Sequence, residues 1–180
     1  MIRGIDAALY ILSLDKKHEL FNKTLRTQNG RRFYEGNARL NKYMHLAQNI
    51  YIAKYGKPLM DSVFYAYDNG AVDPKVQENY SVLLERRNQT VVLAENEKKF
   101  LNAIYKAFQN APLDELIELS HEDPEWIEKH NFYQKEDQRM DSMAHQEEYA
   151  EQYADMIKVM GHFHSESGKI KGGVVYERCI

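Results

Sequence analysis

The chain has 180 residues, 43% of them hydrophobic, and a formal net charge of −3, which suits one domain with its own core and room for an appended segment. Its single cysteine, Cys179, excludes a disulfide scaffold within the chain, and no run approaches the ~18–20 apolar residues of a membrane-spanning helix. With one charge before a short apolar stretch and no small-residue cleavage site, MIRGIDAALYILSLDKKHEL does not read as a signal peptide, so a cytoplasmic protein is expected.

In chain order, Ile5, Ala8, Leu9, Ile11 and Leu12 predict a first short helix. TLRTQNGRRFY follows, and its Asn29-Gly30 pair predicts a hairpin near 23–35, because both residues tolerate positive φ. Such a hairpin would cluster Arg26, Arg31 and Arg32 near its tip. Asn37 is placed as the cap of a long helix whose face is Leu40, Tyr43, Met44, Ala47, Ile50, Tyr51 and Lys54. Tyr55-Gly56-Lys57-Pro58 stops it, since glycine suits the turn beyond the last carbonyls and proline blocks continuation.

Next comes FYAYDNGAVDPKVQENY (64–80), with four aromatics and a turn between two helix signals. Phe64-Tyr65-Ala66-Tyr67 alternates as an extended piece, with Phe64 and Ala66 on one face and the tyrosines on the other. Asp68-Asn69-Gly70 turns the chain, and Asp73-Pro74 opens a helix carrying Val76, Tyr80 and Leu83 or Leu84. A helix from Asn96 buries Phe100, Leu101, Ile104, Ala107 and Phe108. A short one from Pro112 buries Leu113, Leu116 and Ile117, and one from Asp123-Pro124 buries Trp126 and Ile127. A last helix is expected from about Asp137 to Met160, with Met140, Met143, Ala144, Ala150, Tyr153, Ala154, Ile157 and Met160 interrupted by Glu147 and a stop at Gly161. KIKGGVVYERCI is left as strand or tail. The fold class is therefore mainly α with a small β component: the hairpin and the extended segment 63–67.

Charge is unevenly spread. Residues 16–42 carry a net +6 and residues 111–160 a net −10. Asymmetry of this kind suits an electrostatic partner or simply solvated helix faces. Thirteen tyrosines against one tryptophan fit an interaction face or a core boundary.

At this point the residues carry a family resemblance. ARLNKYMHLAQNIYIAKYGKPL (38–59), the 64–80 stretch and ELIELSHEDPEW (115–126) resemble the Panacea domain, which includes GepA-like and SocA-like proteins. Gly56, Lys57, Pro58 and Leu59 match its Tyr-Gly-Lys-Pro-Leu element. Phe64, Ala66, Gly70, Val72, Pro74 and Val76 match Phe-x-Ala-Trp-x-x-Gly-Pro-Val-x-Pro-x-Val. Tyr67 replaces the usual tryptophan, Ala71 replaces a proline, residue 125 is inserted between Pro124 and Trp126, and the loop at 23–36 is longer than usual. The resemblance covers residues 5–130, so the expected organisation is a helical domain 1–130 and a C-terminal helical extension and tail, 131–180.

The resemblance implies an antitoxin that binds a protein toxin, typically encoded next to it and often carried by a prophage. Its alternative is an adaptor that delivers a client to an ATP-dependent protease. No catalytic residue, cofactor or metal is expected. Candidate partner contacts are Tyr65, Tyr67 and Asp68 in the connector, with Glu147 and Glu151 in the acidic half, which would approach a basic toxin.

Other chemistry reads weakly. His162, His164 and Glu166 fall short of a zinc set held by a fold. His121 beside Glu122-Asp123 resembles a general base but has no nucleophile in a recognisable context, so it is taken as packing between two short helices. Gly172-Gly173 does not form a phosphate loop. Arg26, Arg31 and Arg32 beside Phe33 and Tyr34 resemble a nucleic-acid surface, against which the acidic second half argues.

Overall fold

The computed structural model describes residues 1–132, 134 and 136–165. It is mainly helical, with two small antiparallel hairpins. The elements are α1 (Gly4–Leu14), β1 (Leu25–Gln28), β2 (Arg31–Tyr34), α2 (Glu35–Tyr55), β3 (Tyr65–Tyr67), β4 (Gly70–Val72), α3 (Pro74–Glu78), α4 (Tyr80–Glu85), α5 (Glu95–Phe108), α6 (Leu113–His121), α7 (Pro124–His130), α8 (Gln146–Gln152) and α9 (Ala154–Ser165).

The first hairpin forms as its turn chemistry requires. Asn29 (φ 52°) and Gly30 (φ 71°) both take left-handed backbone, and Gln28 pairs with Arg31. Of its arginines, Arg31 and Arg32 flank the turn and Arg26 lies farther along β1 opposite Phe33. Arg26 pairs with Asp114 and Glu35, and Arg31 reaches Asp68. Arg39 donates to the Ala111 carbonyl. Much of the basic block is thus engaged within the fold.

α2 is the axis of the molecule, packed against α1, α5, α6, α8 and β4. Its expected apolar face is buried as predicted: Leu40, Tyr43, Met44, Ala47 and Ile50 are fully covered. Gly56 (φ 66°) ends it, returning its N–H to Ile52. Its start differs from expectation. The helix begins at Glu35, so Asn37 lies inside it rather than capping it; Asn37 donates to the Gln77 carbonyl and accepts from Asn41.

The opposite side of α2 is polar yet also buried. Asn41, Lys42, His45, Gln48 and Asn49 are each at most 2% exposed. Buried polar groups must find partners, and here the partners are the irregular segments that lack a ladder of their own. Gln48 accepts from the N–H groups of Leu59 and Met60 and donates to the Met60 carbonyl. Asn41 accepts from the Asp73 N–H, and Lys42 Nζ donates to the Ala71 carbonyl at 2.9 Å. One helix face therefore shapes residues 59–73.

β3 forms where the aromatic alternation places it. Phe64 and Ala66 are fully buried, and Tyr65 and Tyr67 are half-exposed. Its pairing with β4 was not anticipated, nor was its second neighbour: Ala66 donates to the Gln138 carbonyl and Met140 donates to that of Phe64. Gly70 sits at φ 90°, where a Cβ would stand 2.6 Å from Lys42 Cε and 2.7 Å from Ser120 Oγ. Gly70→Ala is expected to destabilise the protein by roughly 2–3 kcal/mol through strain and overpacking, read as a lower denaturation midpoint. An unchanged midpoint would show that this turn relaxes freely.

Asp73 caps α3 as predicted, accepting from the Lys75 N–H, but the expected single helix breaks at Asn79 into α3 and α4. α5 starts at Glu95 rather than Asn96, with the Glu97 carboxylate accepting from the Ala94 N–H. Ile127 is 53% exposed instead of buried, because its helix is only two turns long and turns Trp126 inward.

The expected helix from Asp137 to Met160 is not one helix. The 138–140 segment lies beside β3, turns follow, and only then do α8 and α9 form. α9 continues through Gly161 to Ser165. Tyr149, Tyr153, Met156 and Met160 join the same core as α2, and Met140 joins it from the strand-like segment. Residues 166–180, and with them Glu166, Gly172-Gly173, KIKGGVVYERCI and Cys179, lie outside the described residues.

Candidate partner-binding face

Beneath the second hairpin lies a closed polar centre. Asp123 Oδ2 accepts from His45 Nε2 at 2.6 Å and from Asn49 Nδ2 at 2.6 Å. Tyr149 O–H reaches Asp123 Oδ1 at 3.0 Å, and that same oxygen caps α7 through the Glu125 and Trp126 N–H groups. Ser120 Oγ, which accepts from the Ala71 N–H, stands 3.3 Å from His45 Nδ1. Burial opposes ionisation of Asp123, but the hydrogen bonds from His45, Asn49 and Tyr149 outweigh it and hold the carboxyl below its usual range. Burial and the adjacent carboxylate push the Tyr149 phenol up.

Serine, histidine and aspartate in series are the components of nucleophilic catalysis. Here Ser120 and Asp123 are fully buried and His45 is 1% exposed. Ser120 Oγ is packed against Gly70, so no substrate carbonyl can approach it in this conformation. The centre holds together α2, α6, α7, α8 and β4. Sequence reading placed Asp123 at a helix start and took His121 as packing between two short helices; the histidine that Asp123 meets is His45, which it did not single out. His121 faces elsewhere: its Nε2 meets the Asp68 carbonyl at 3.1 Å, and burial lowers its pKa.

His121, Trp126 and His130 form a stack, with ring centroids 4.1 and 4.2 Å apart. The stack grips the turn after β3. Trp126 Nε1 donates to the Tyr67 carbonyl at 3.0 Å, and His130 Nε2 lies 3.2 Å from Asp68 Oδ1. Arg31 approaches the other Asp68 oxygen at 3.3 Å. Trp126 is thus a core anchor, as expected, and Asp68 is engaged on two sides.

The hairpin stands between depressions. Tyr65 lines a cavity of about 470 Å³ with Arg3, Asp61, Lys75 and Arg139, and this adjoins a second of about 560 Å³ bordered by Met60, Met140 and Met143. Tyr67 and Asp68 line a smaller one of about 120 Å³ with Arg31, Arg32 and Lys42. The two tyrosine rings lie 6.2 Å apart. Glu147 and Glu151 are exposed one turn apart on α8. The structure therefore brings Tyr65, Tyr67 and Asp68 together and places the two glutamates on a separate element.

Residues 40–127 match the family described as antitoxin SocA-like, Panacea domain. Over these residues the chain is similar to the Panacea domain. No curated protein and no solved structure matches it. The Panacea match takes in most of α2, the second hairpin, α6 and the Trp126 stack up to Ile127. It includes His45, Asn49, Ser120 and Asp123, whereas Tyr149, which completes the buried centre, lies beyond it. No helix among the described residues is long and apolar enough to cross a membrane.

Proposed function

We propose that this chain is an antitoxin that neutralises a cognate protein toxin by direct binding, without catalysis of its own. The antitoxin description of the matched Panacea domain carries this reading. Two features of the surface support it. A half-exposed tyrosine pair on a rigidly held hairpin, flanked by cavities of about 470 and 560 Å³, offers large contact area at little entropic cost. Glu147 and Glu151 add an acidic site beyond it, suited to a basic toxin surface. The contact face is centred on Tyr65, with Tyr67 and Asp68 beside it. The partner is a protein encoded by an adjacent gene, in a toxin–antitoxin or prophage setting, and inhibition acts by covering its active site.

Co-expression with the neighbouring open reading frame tests the reading. The neighbour is expected to arrest growth alone and to be rescued by this chain. Tyr65→Ala should weaken the purified complex about thirtyfold, the loss of a hot-spot side chain worth ~2 kcal/mol. A neighbour that is harmless, or toxic and not rescued, refutes the antitoxin reading; full affinity in the variant moves the contact face away from Tyr65. A partner whose half-life shortens when this chain is present would identify a proteolysis adaptor instead.

A further inference from the structure

We propose that Glu125, Glu128 and His145 bind one divalent transition-metal ion of the zinc class, joining α7 to the start of α8. One donor atom from each lies within 4.8 Å of the others. His145 Nε2 is 3.1 Å from Glu125 Oε2 and 3.5 Å from Glu128 Oε2. A tetrahedral ion with bonds of about 2.0–2.1 Å needs donors about 3.3–3.4 Å apart, and the two separations bracket that value.

His145 Nε2 is buried and makes no hydrogen bond, although two carboxylate oxygens stand near it. An ion shared with those oxygens would give this nitrogen a partner. Glu125 is 1% exposed, and a buried carboxylate needs a cationic partner beside its Oε2, which faces His145.

Each ligand is held from behind. Glu125 Oε1 accepts from the Asp141 N–H at 2.8 Å, leaving Oε2 for the ion. His145 Nδ1 faces Glu148 Oε1 at 3.2 Å, the carboxylate–histidine pairing that orients metal-bound imidazoles. Glu125 and Glu128 lie one turn apart on α7, and His145 immediately precedes α8. Glu128 and His145 fall beyond the residues that match the Panacea family. The ion would clasp the helix that delivers Tyr149 to Asp123, and its fourth position would be filled by water.

Zinc chloride titrated calorimetrically into the metal-stripped, tag-free full chain tests this. One equivalent is expected to bind and to raise the melting temperature. Glu128→Gln should weaken that binding at least tenfold; its side chain is 57% exposed, so the variant folds. Glu148→Gln is expected to weaken it tenfold or more through the imidazole. The proposal is overturned by the absence of saturable binding. It is equally overturned by binding that Glu128→Gln leaves intact, which would put the ion elsewhere, as on His162 and His164.

Discussion

Asp123→Ala is expected to lower the unfolding free energy by about 3–5 kcal/mol, the usual cost of removing one partner from a buried charged network. The carboxylate is fully buried and serves His45, Asn49 and Tyr149 while capping α7. Truncation leaves those donors buried without an acceptor and removes the cap, itself worth ~1 kcal/mol. Asp123→Asn keeps the shape and a cap, so it should cost less than alanine. Tyr149→Phe deletes one donor and should cost about 1.5–3 kcal/mol. Urea denaturation of the three variants reads the order directly, and a loss below ~1 kcal/mol for Asp123→Ala would mean that the network contributes little. The acid side follows from the same contacts. Because the folded carboxyl lies below its ordinary range, its contribution is complete above the unfolded value near ~4. It is lost as pH falls through the lower folded value.

Local chemistry made much of this fold legible. Asn29-Gly30, Gly56, Asp73-Pro74 and Asp123-Pro124 act within a few residues of themselves, and each does in the structure what its side chain dictates. The alternation at 64–67 likewise puts Phe64 and Ala66 inside. The polar stripe of α2 was not legible, because Asn41, His45, Gln48 and Asn49 follow the same helical spacing as a solvated face. Only their partners, up to 78 residues away in the case of His45 and Asp123, show that the face is buried. The 137–160 segment failed for a related reason. Met140 is apolar because it lies beside β3, not because it continues a helical stripe, and Tyr149 is buried because Asp123 receives it. The candidate contact residues divide in the same way. Tyr65 and Tyr67 could be placed from alternation alone, whereas the attachments of Asp68 to Arg31 and His130 depend on tertiary structure.

Lys42→Met is expected to stabilise the protein near pH 6, with the gain shrinking steadily as pH rises toward 9. Lys42 lies within the core beside the Gly70 turn, and burial pushes its ammonium down to about 7 from the ordinary 10.5. Its one described hydrogen bond, to the Ala71 carbonyl, supplies part of what water would. Between those two values the unfolded chain holds a proton that the folded chain does not, so stability rises with pH through that window. Below about 7 both states are charged and the folded state bears the full desolvation cost. At about 1.4 kcal/mol per pH unit the whole span amounts to ~5 kcal/mol, and the part between pH 7 and 9 to ~2–3 kcal/mol. Methionine has a similar length and no charge, so it removes this slope while giving up the bond to Ala71, worth about 1 kcal/mol. Other groups add slopes of their own: burial lowers the pKa of His145 but the surrounding carboxylates raise it overall, and above pH 9 the buried Tyr43 and Tyr80 oppose the trend because burial raises theirs. The difference between wild type and variant, measured by denaturation at pH 6, 7, 8 and 9, isolates Lys42 from them. Parallel curves would show that Lys42 reaches water and keeps its proton throughout. Converging curves would show that α2 buries a lysine which is largely neutral above pH 8, and that it does so to hold the β4 backbone in place.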